Sequence, residues 1–307
     1  MARRRGPAVG AAPAPDPAVG TASVPERELI LTLACPDRRG IVYAVARAIA
    51  EGGGNIVDSQ QFGDPDQSAF FMRVHFADEA GGELSAWQAT FAPLAAEFGM
   101  RWELRDARRR QRILVAVSRE GHCLNDLLYR WRAGAIAGEI VGVASSHPDF
   151  EALVAGYGVP YHALPAADAT VAERDRALLD LVEHQRVELV VLARYMQILG
   201  PDACRALAGR AINIHHSFLP SFKGARPYAQ AHARGVKLIG ATAHYVTEQL
   251  DEGPIIEQEV ARVDHAHSVA EMARVGRDVE CVALARAVRW HVEHRVLLHG
   301  HRTVVFR

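Results

Sequence analysis

The second half of the chain contains five short apolar runs that alternate with longer segments of mixed polarity. The runs are ILVAVS, EIVGVAS, VPYHAL, ELVVLAR and AINIHH, and all of them begin after residue 112. This alternation is typical of parallel strands that helices cover on both faces. KLIGATAHYV and PIIEQEVARV predict two more strands, and a helix is expected from residue 268 towards residue 298, with VVF as a terminal strand. The pattern predicts a doubly wound, mostly parallel α/β domain whose ligand lies at the carboxyl ends of its strands.

The first part of the chain shows a different order of elements. ELILTLAC, NIVDSQQF, SAFFMRVHF and residues 100–104 predict four strands, and helical spacing predicts helices over 40–51 and 84–98. The order βαββαβ is typical of a ferredoxin-like module. The expected organisation is an Ala-, Pro- and Gly-rich disordered tail over 1–25, a ferredoxin-like domain over 26–106, a linker over 107–112 and an α/β domain over 113–307.

The composition limits the classes of partner. The chain of 307 residues carries 35 Lys and Arg against 36 Asp and Glu, a formal net charge of −1. This balance gives no electrostatic reason to expect nucleic acid or an anionic membrane. No run approaches the ~20 apolar residues of a membrane helix. Four widely spaced cysteines are typical of a reduced protein, so we expect a cytoplasmic location.

Two adjacent histidines end the run AINIHH. Because side chains alternate along a strand, Asn213 and His215 are expected on one face, and His216 on the other face or in the turn, with a structural role. An amide and an imidazole aimed at one point can polarise a carbonyl and stabilise an oxyanion. The same two residues could instead cap the strand and satisfy the following loop. Alternation also argues against one metal ion bound by both histidines.

A second candidate pair lies in GATAHYVTEQLDEGPII. His244 ends a strand-like run, and Asp251 lies in the polar turn before the next run. A carboxylate beside an imidazole is the usual arrangement for proton transfer, provided that this turn folds over His215. A solvated turn is the alternative, and both interpretations stay open at this point.

The loop after the first strand of the α/β domain bears on the ligand class. It reads SREGHCLNDLL, in which Gly121 is the single glycine, so neither GxGxxG nor a lysine-bearing P-loop is present. NAD, ATP and GTP are therefore not expected at this position.

Longer motifs resemble a known family. VLARYMQILGPD, INIHHSFLPSFKGARPY and GATAHYVTEQLDEGPII resemble the folate-dependent formyltransferase fold, and LACPDRRGIVYAVARAIAEGGGNIVD resembles an ACT domain. An ACT domain ahead of a formyltransferase-like domain is similar to the formyltetrahydrofolate deformylase family. The resemblance extends from about Glu28 to the end of the sequence.

The resemblance implies roles for four polar residues. Asn213 and a protonated His215 would hold the formyl oxygen as negative charge develops on it. Asp251, held by His244, would move protons between water and the leaving nitrogen.

It also implies a substrate and partners. The reaction would be hydrolysis of 10-formyltetrahydrofolate to formate and tetrahydrofolate, with no metal and no other cofactor. The formate would supply purine biosynthesis and balance the one-carbon pool. Met196 and Leu199 would contact the pterin ring. The ACT domain would regulate a homo-oligomer, with glycine or methionine as possible effectors.

Three alternatives stay open. The chain could transfer the formyl group to an unidentified acceptor, or act as a non-catalytic amino-acid sensor through its ACT domain. It could also be a metal hydrolase whose ligands are His215, His216, His244 and Asp251.

Overall fold

The computed structural model describes residues 27–166, 168–219 and 227–307. The disordered tail expected over 1–25 lies outside these residues. The first elements follow the predicted order βαββαβ, which is confirmed. They are β1 (Arg27–Pro36), α1 (Ile41–Glu51), β2 (Gly54–Asp64), β3 (Ala69–Asp78), α2 (Leu84–Phe98) and β4 (Arg101–Asp106).

Within the described residues these strands form a four-stranded antiparallel sheet in the order β2-β3-β1-β4. Both helices contribute to a shared core with this sheet, as their spacing predicts. In α1 the buried residues are Ile41, Val45 and Ile49, four residues apart and therefore on one face of the helix. Trp87 of α2 packs edge-on against Phe76 of β3, with ring centroids 4.9 Å apart.

The second part of the chain alternates strands and helices as predicted. Its elements, up to the long last helix, are β5 (Arg112–Ala116), α3 (His122–Arg132), β6 (Glu139–Ser145), α4 (Glu151–Gly156), β7 (Tyr161–Ala163), α5 (Val171–His184), β8 (Leu189–Leu192), α6 (Pro201–Ala206), β9 (Ala211–His215), α7 (Pro227–Ala233), β10 (Leu238–Tyr245), β11 (Ile255–Arg262) and α8 (Val269–Val292).

In the described part of the chain, β5 to β11 form a seven-stranded sheet in the order β11-β10-β9-β8-β5-β6-β7. The strands from β9 to β7 pair in parallel, and β10 is antiparallel to both β9 and β11. After β5 the chain continues to β6 on one side and returns to β8 on the other. A crevice forms where the strand order reverses in this way, at the carboxyl ends of β5 and β8.

The end of α8 differs from the prediction. The helix ends at Val292 and does not continue towards residue 298, so that expectation is wrong. His294 has a left-handed backbone (φ 54°), which ends the helical path. The following residues form a hairpin of β12 (Val296–His299) and β13 (Arg302–Val305). The apolar run that extended the helical pattern is therefore a strand.

This C-terminal region binds the first sheet. Arg73 of β3 is 2% exposed, and its Nε and Nη2 donate to the carbonyl oxygen of Glu293 at 3.3 and 3.1 Å. Its Nη1 donates to the Asp58 carboxylate at 3.1 Å. His299 Nε2 lies 3.0 Å from the Asp64 carboxylate. These polar contacts fix the four-stranded module against the larger domain.

Among residues 27–166, 168–219 and 227–307, no helix combines the length and the apolarity that crossing a bilayer requires.

We expect Arg73→Leu to lower the free energy of unfolding by about 2–3 kcal/mol, because it leaves a buried carbonyl and a carboxylate without their charged donor. Urea unfolding measures this loss. The matched control is Arg47→Leu, which removes an exposed helical pair with Glu51 at 3.7 Å and should cost less than about 0.5 kcal/mol. Equal losses in the two variants would contradict the clamping role of Arg73.

Candidate active site

Strand pairing sets the position of the first two candidate residues. Asn213 and His215 end β9, and the antiparallel register of β10 places His244 directly opposite Asn213. Asn213 Nδ2 lies 3.2 Å from His244 Nε2. All three side chains line one pocket.

The hydrogen bonds of His244 fix its tautomer. His244 Nδ1 lies 2.9 Å from the carbonyl oxygen of Tyr245, which can only accept, so Nδ1 carries the proton. Burial lowers the pKa of His244 and outweighs the hydrogen bond to Tyr245 and the charge of Asp251. The ring is therefore neutral, and its Nε2 accepts from Asn213. One N–H of the Asn213 amide remains for another acceptor.

The polar turn that carries Asp251 folds over the end of β9. Asp251 Oδ2 lies 3.2 Å from His215 Nδ1, and Oδ1 lies 3.8 Å from His244 Nε2. We expected His244 to hold Asp251, but the shorter contact of Asp251 is with His215. His244 Nε2 carries no proton in this tautomer, so it cannot donate a hydrogen bond to the carboxylate. Asp251 has a left-handed backbone (φ 58°), a conformation that costs energy and is concentrated at functional sites.

The charge state of Asp251 follows from its neighbours. Burial alone raises the pKa of this carboxyl group, but the hydrogen bond and the charge of His215 outweigh it and leave the pKa lowered. Asp251 is therefore a carboxylate at neutral pH. A carboxylate held this close to an imidazole can accept a proton from water.

His215 presents one nitrogen without a partner. Its Nδ1 faces Asp251, whereas its Nε2 is buried and has no hydrogen-bond partner among the residues that the structure describes. An unpaired buried nitrogen is costly, and a ligand that bonds to it offsets that cost. The arrangement leaves His215 Nε2 and the Asn213 amide available to the same ligand.

His216 lies in the bend that follows β9. The strand ends at His215, so alternation no longer applies to the next residue. The His216 ring stacks on that of His215, with centroids 5.1 Å apart and planes at 25°, and it lines the same pocket. Burial, followed by the charges of Arg194 and His215, lowers the pKa of His216 to about 4. His216 thus lies in the turn, one of the two positions expected for it, but it lines the pocket next to His215.

The pocket around these residues has a volume of about 610 Å³. One wall is apolar and includes both residues proposed to contact a pterin ring, Met196 and Leu199. Met196 is 62% exposed, although it is a large apolar side chain. The other apolar members of this wall are Leu192, Tyr195, Ile198, Val246 and Leu250.

Comparison with known proteins identifies the family. A family model described as formyl transferase matches residues 111–288, and one described as ACT domain matches residues 27–104. The formyltetrahydrofolate deformylase of Corynebacterium sp. (strain P-1) is 50% identical over 279 residues, 91% of this chain and 98% of the relative. That of Bacillus subtilis (strain 168) is 47% identical over 279 residues, 90% of this chain and 93% of the relative. The chain belongs to the formyltetrahydrofolate deformylase family.

A solved structure of this deformylase family agrees with the fold. The crystal structure of the formyltetrahydrofolate deformylase from Burkholderia mallei matches with a TM-score of 0.87 and 49% identity, covering 92% of this chain and 100% of that chain. The small four-stranded module is thus the ACT domain, and the seven-stranded domain has the formyltransferase fold.

Two buried charges of the deformylase pocket were missed in the sequence. Arg194 follows β8 with φ 62°, and its Nε lies 3.5 Å from Oε2 of Glu280, which is 1% exposed. Tyr228 donates its hydroxyl to Glu280 Oε1 at 2.8 Å, and His122 Nε2 lies 2.8 Å from Oε2. Burial raises the pKa of Glu280, but these partners outweigh it and leave the pKa lowered. The one signal available in the sequence was an acidic residue, Glu280, within the apolar pattern of α8.

Three potential metal ligands also meet here. The ligand atoms of His122, Cys123 and Glu280 all lie within 4.8 Å of one another. Both oxygens of Glu280 already accept from neighbouring donors, so its negative charge is compensated by the protein itself. These contacts favour a buried polar cluster that orients helices α3 and α8.

A second cavity, of about 570 Å³, lies between the ACT domain and the back of β10. Tyr245, whose carbonyl holds His244, contacts His291 there, with 2.7 Å between the hydroxyl and Nδ1. Burial, followed by the charge of Arg105, lowers the pKa of His291 to about 4. The neutral His291 ring accepts a hydrogen bond from the Tyr245 hydroxyl group at Nδ1 and so supports the strand that carries His244.

Close approach at Gly253 brings the Asp251 turn against β10. A Cβ atom at this position would lie 1.7 Å from the Tyr245 carbonyl oxygen and 3.2 Å from His244 Nδ1. Tyr245 N also donates to the Pro254 carbonyl at 2.9 Å, which closes the loop. A side chain at Gly253 would therefore displace both Asp251 and the acceptor that holds His244.

We expect Gly253→Ala to lower turnover about 100-fold, because displacement of a reacting group by ~1 Å has an effect of this size. Steady-state kinetics measures the loss. The control is Gly156→Ala, where the added Cβ meets open space and the rate should match the unsubstituted chain. A normal rate in Gly253→Ala would refute the fixed position of this loop.

We expect the free energy of unfolding to decrease as the pH falls, partly through His291. In the folded chain it stays neutral down to a pKa of about 4, whereas the unfolded chain takes up the proton below the ordinary pKa of 6.5. The unfolded chain binds more protons between these values, so the free energy of unfolding decreases as pH falls, by up to roughly 3 kcal/mol. His291→Gln should flatten the decrease in urea unfolding measured between about pH 7 and about pH 5. An unchanged slope would argue against this assignment.

Proposed function

We propose that the chain hydrolyses 10-formyltetrahydrofolate to formate and tetrahydrofolate. The observation that carries this proposal is the unpaired His215 Nε2 beside Asn213 and the Asp251 carboxylate, in a pocket with one apolar wall. Water adds to the formyl carbon, the carbon–nitrogen bond breaks, and the nitrogen takes up one proton. The formic acid that results loses its proton and leaves as formate.

In this mechanism Asp251 is the base. Its lowered pKa keeps it ionised at neutral pH, ready to take a proton from the attacking water. The same proton can then pass to the departing nitrogen, as general acid–base catalysis requires. The leaving group is a weakly basic amine, so the proposal needs no metal.

Asn213 and His215 stabilise the oxyanion. A cationic imidazole donates at both nitrogens, from Nδ1 to Asp251 and from Nε2 to the formyl oxygen. His244 accepts one N–H of Asn213, which leaves the other N–H for the same oxygen. Donors fixed before the reaction stabilise developing charge most strongly.

The apolar wall supplies the folate site in this proposal. Met196 and Leu199 contact the pterin ring, and an exposed methionine in a pocket is explained by contact with a flat ligand. The backbone of this segment is held because Met196 N donates to Ser118 Oγ at 3.0 Å.

The wider role is part of the same proposal. Residues 113–307 carry the chemistry, 107–112 join the domains, and 26–106 regulate through glycine or methionine in a cytoplasmic homo-oligomer. The formate supplies purine biosynthesis and balances the one-carbon pool. The ACT module supports regulation because it contacts the C-terminal region through Arg73.

The test is formate release from 10-formyltetrahydrofolate with no acceptor present. We expect steady release that survives a strong chelator, and Asp251→Asn should lower kcat by about 10²–10⁴ through loss of the base. Asp202→Asn, which removes an exposed acid outside the pocket, should leave the rate unchanged.

Each alternative has its own outcome in this assay. Release only after an acceptor is added would indicate a formyltransferase. Loss of activity in chelator would indicate a metal hydrolase. Undiminished turnover in Asp251→Asn would refute the assigned base.

A further inference from the structure

The pocket is also lined by a group of polar residues that the mechanism above does not use. These residues come from the loop after β5, the ends of β8 and β9, α7 and one face of α8. We call this group the polar compartment; its residues are Glu120, Arg194, His216, Tyr228, Arg277 and Glu280. His216 stacks on His215, so the compartment begins directly behind the reacting group.

Arg194 is the buried cation of this compartment. It is 8% exposed, and its Nη1 is buried with no hydrogen-bond partner in the described part of the chain. Nη2 donates to Glu120 Oε2 at 3.0 Å. A purely structural arginine would be expected to use its donors within the protein, since unpaired buried N–H groups are rare. The unpaired Nη1 therefore points to an acceptor that binds from the pocket.

The two acids around Arg194 differ in how firmly they are held. Glu280 is 1% exposed and accepts from Tyr228 and His122 as well as pairing with Arg194. The Glu120 side chain is 49% exposed and has Arg194 as its ion-pair partner. Water competes for such an exposed carboxylate, so Glu120 can be displaced while Glu280 stays in place.

Tyr228 lines this compartment and packs closely against α8. Its hydroxyl lies where a Cβ atom on Gly276 would be only 2.0 Å away, so the glycine permits this close packing. A bulky anion therefore finds little room beside Arg194. The chemistry fits a small carboxylate that replaces the Glu120 carboxylate on the guanidinium, in the bidentate manner that arginine favours.

Formate is the smallest carboxylate, and under the proposed function it is produced a short distance away. It forms beside the Asp251 carboxylate, which repels it. Arg277, exposed on α8 with no carboxylate partner among the described contacts, offers a second cation at the pocket wall. Both arginines line the same pocket as Asp251, and each can attract an anion that this carboxylate repels.

We infer that Arg194 forms a subsite for the formate product, and that Glu120 is the internal carboxylate that competes for it. Release of formate is then an exchange of one carboxylate for another on the same guanidinium. The identity of the anion rests on the proposed function, whereas the carboxylate site itself rests on Arg194 and Glu120.

The test is direct binding of sodium formate to the full chain without folate, by isothermal titration, with sodium chloride at equal ionic strength as reference. Arg194→Gln should raise the Kd for formate at least about tenfold, the effect of losing a charge-assisted hydrogen bond. Glu120→Gln should lower the Kd several-fold, because it removes the competing carboxylate. The control is Arg286→Gln. Arg286 lies elsewhere on α8 and pairs with Glu259 of β11, and this variant should bind formate like the unsubstituted chain.

Folding of each variant is checked by thermal unfolding, since Arg194→Gln also affects Glu280. If that variant fails to fold, Glu120→Gln decides the question, because it leaves the buried pair intact. Unchanged or weakened formate binding in Glu120→Gln would overturn the inference, as would normal binding in a folded Arg194→Gln.

Product inhibition separates this inference from the proposed function. Added formate should inhibit tetrahydrofolate formation, with the inhibition constant raised in Arg194→Gln and lowered in Glu120→Gln. Formate release with an inhibition constant that neither variant changes would overturn the subsite and leave the hydrolase intact. Formate binding that responds to both variants in a chain that releases no formate would overturn the hydrolase alone.

Discussion

The pairing of β9 with β10 is the constraint on which the site depends. It places Asn213 opposite His244, and the backbone carbonyl next to His244 then sets that ring's tautomer. The tautomer in turn decides which way the Asn213 amide points. The position of His244, its tautomer and the direction of the Asn213 amide thus all follow from one strand register. Groups held by strands are positioned more exactly than groups held by loops.

Asp251 is held differently from the donors. It reaches the site on a turn with a left-handed backbone, closed by the approach of Gly253 to β10. Its partner His215 belongs to the rigid strand, so the imidazole fixes the carboxylate rather than the reverse. The site therefore combines a rigid pair of donors with a base that depends on the conformation of a single loop.

Much of this arrangement could be predicted from the sequence, and the failures have physical causes. The period of two holds within a strand and predicts that Asn213 and His215 share a face, but it ends with β9, so it could not predict that His216 lines the pocket. The contact of Asp251 with His215 depends on the path of a turn, which local pattern does not encode.

The buried charges and the last helix show the same limit. Arg194 ends an apolar run and Glu280 interrupts a helical one, and each alone is typical of a solvated position. Both residues are buried because the end of β8 and α8 meet in the fold, a contact that neither local pattern shows. The run around Val296 fits a helix or a strand equally well, and its pairing with β13 decided between them.

The contact between Arg73 and Glu293 joins residues that are 220 positions apart. During synthesis the ACT domain leaves the ribosome long before the end of α8, by roughly 10–40 s at ordinary elongation rates. In that interval the Arg73 guanidinium has water in place of its carbonyl partner. The ACT domain is therefore synthesised early, but it gains the stabilising contact between Arg73 and Glu293 only after α8 has been synthesised.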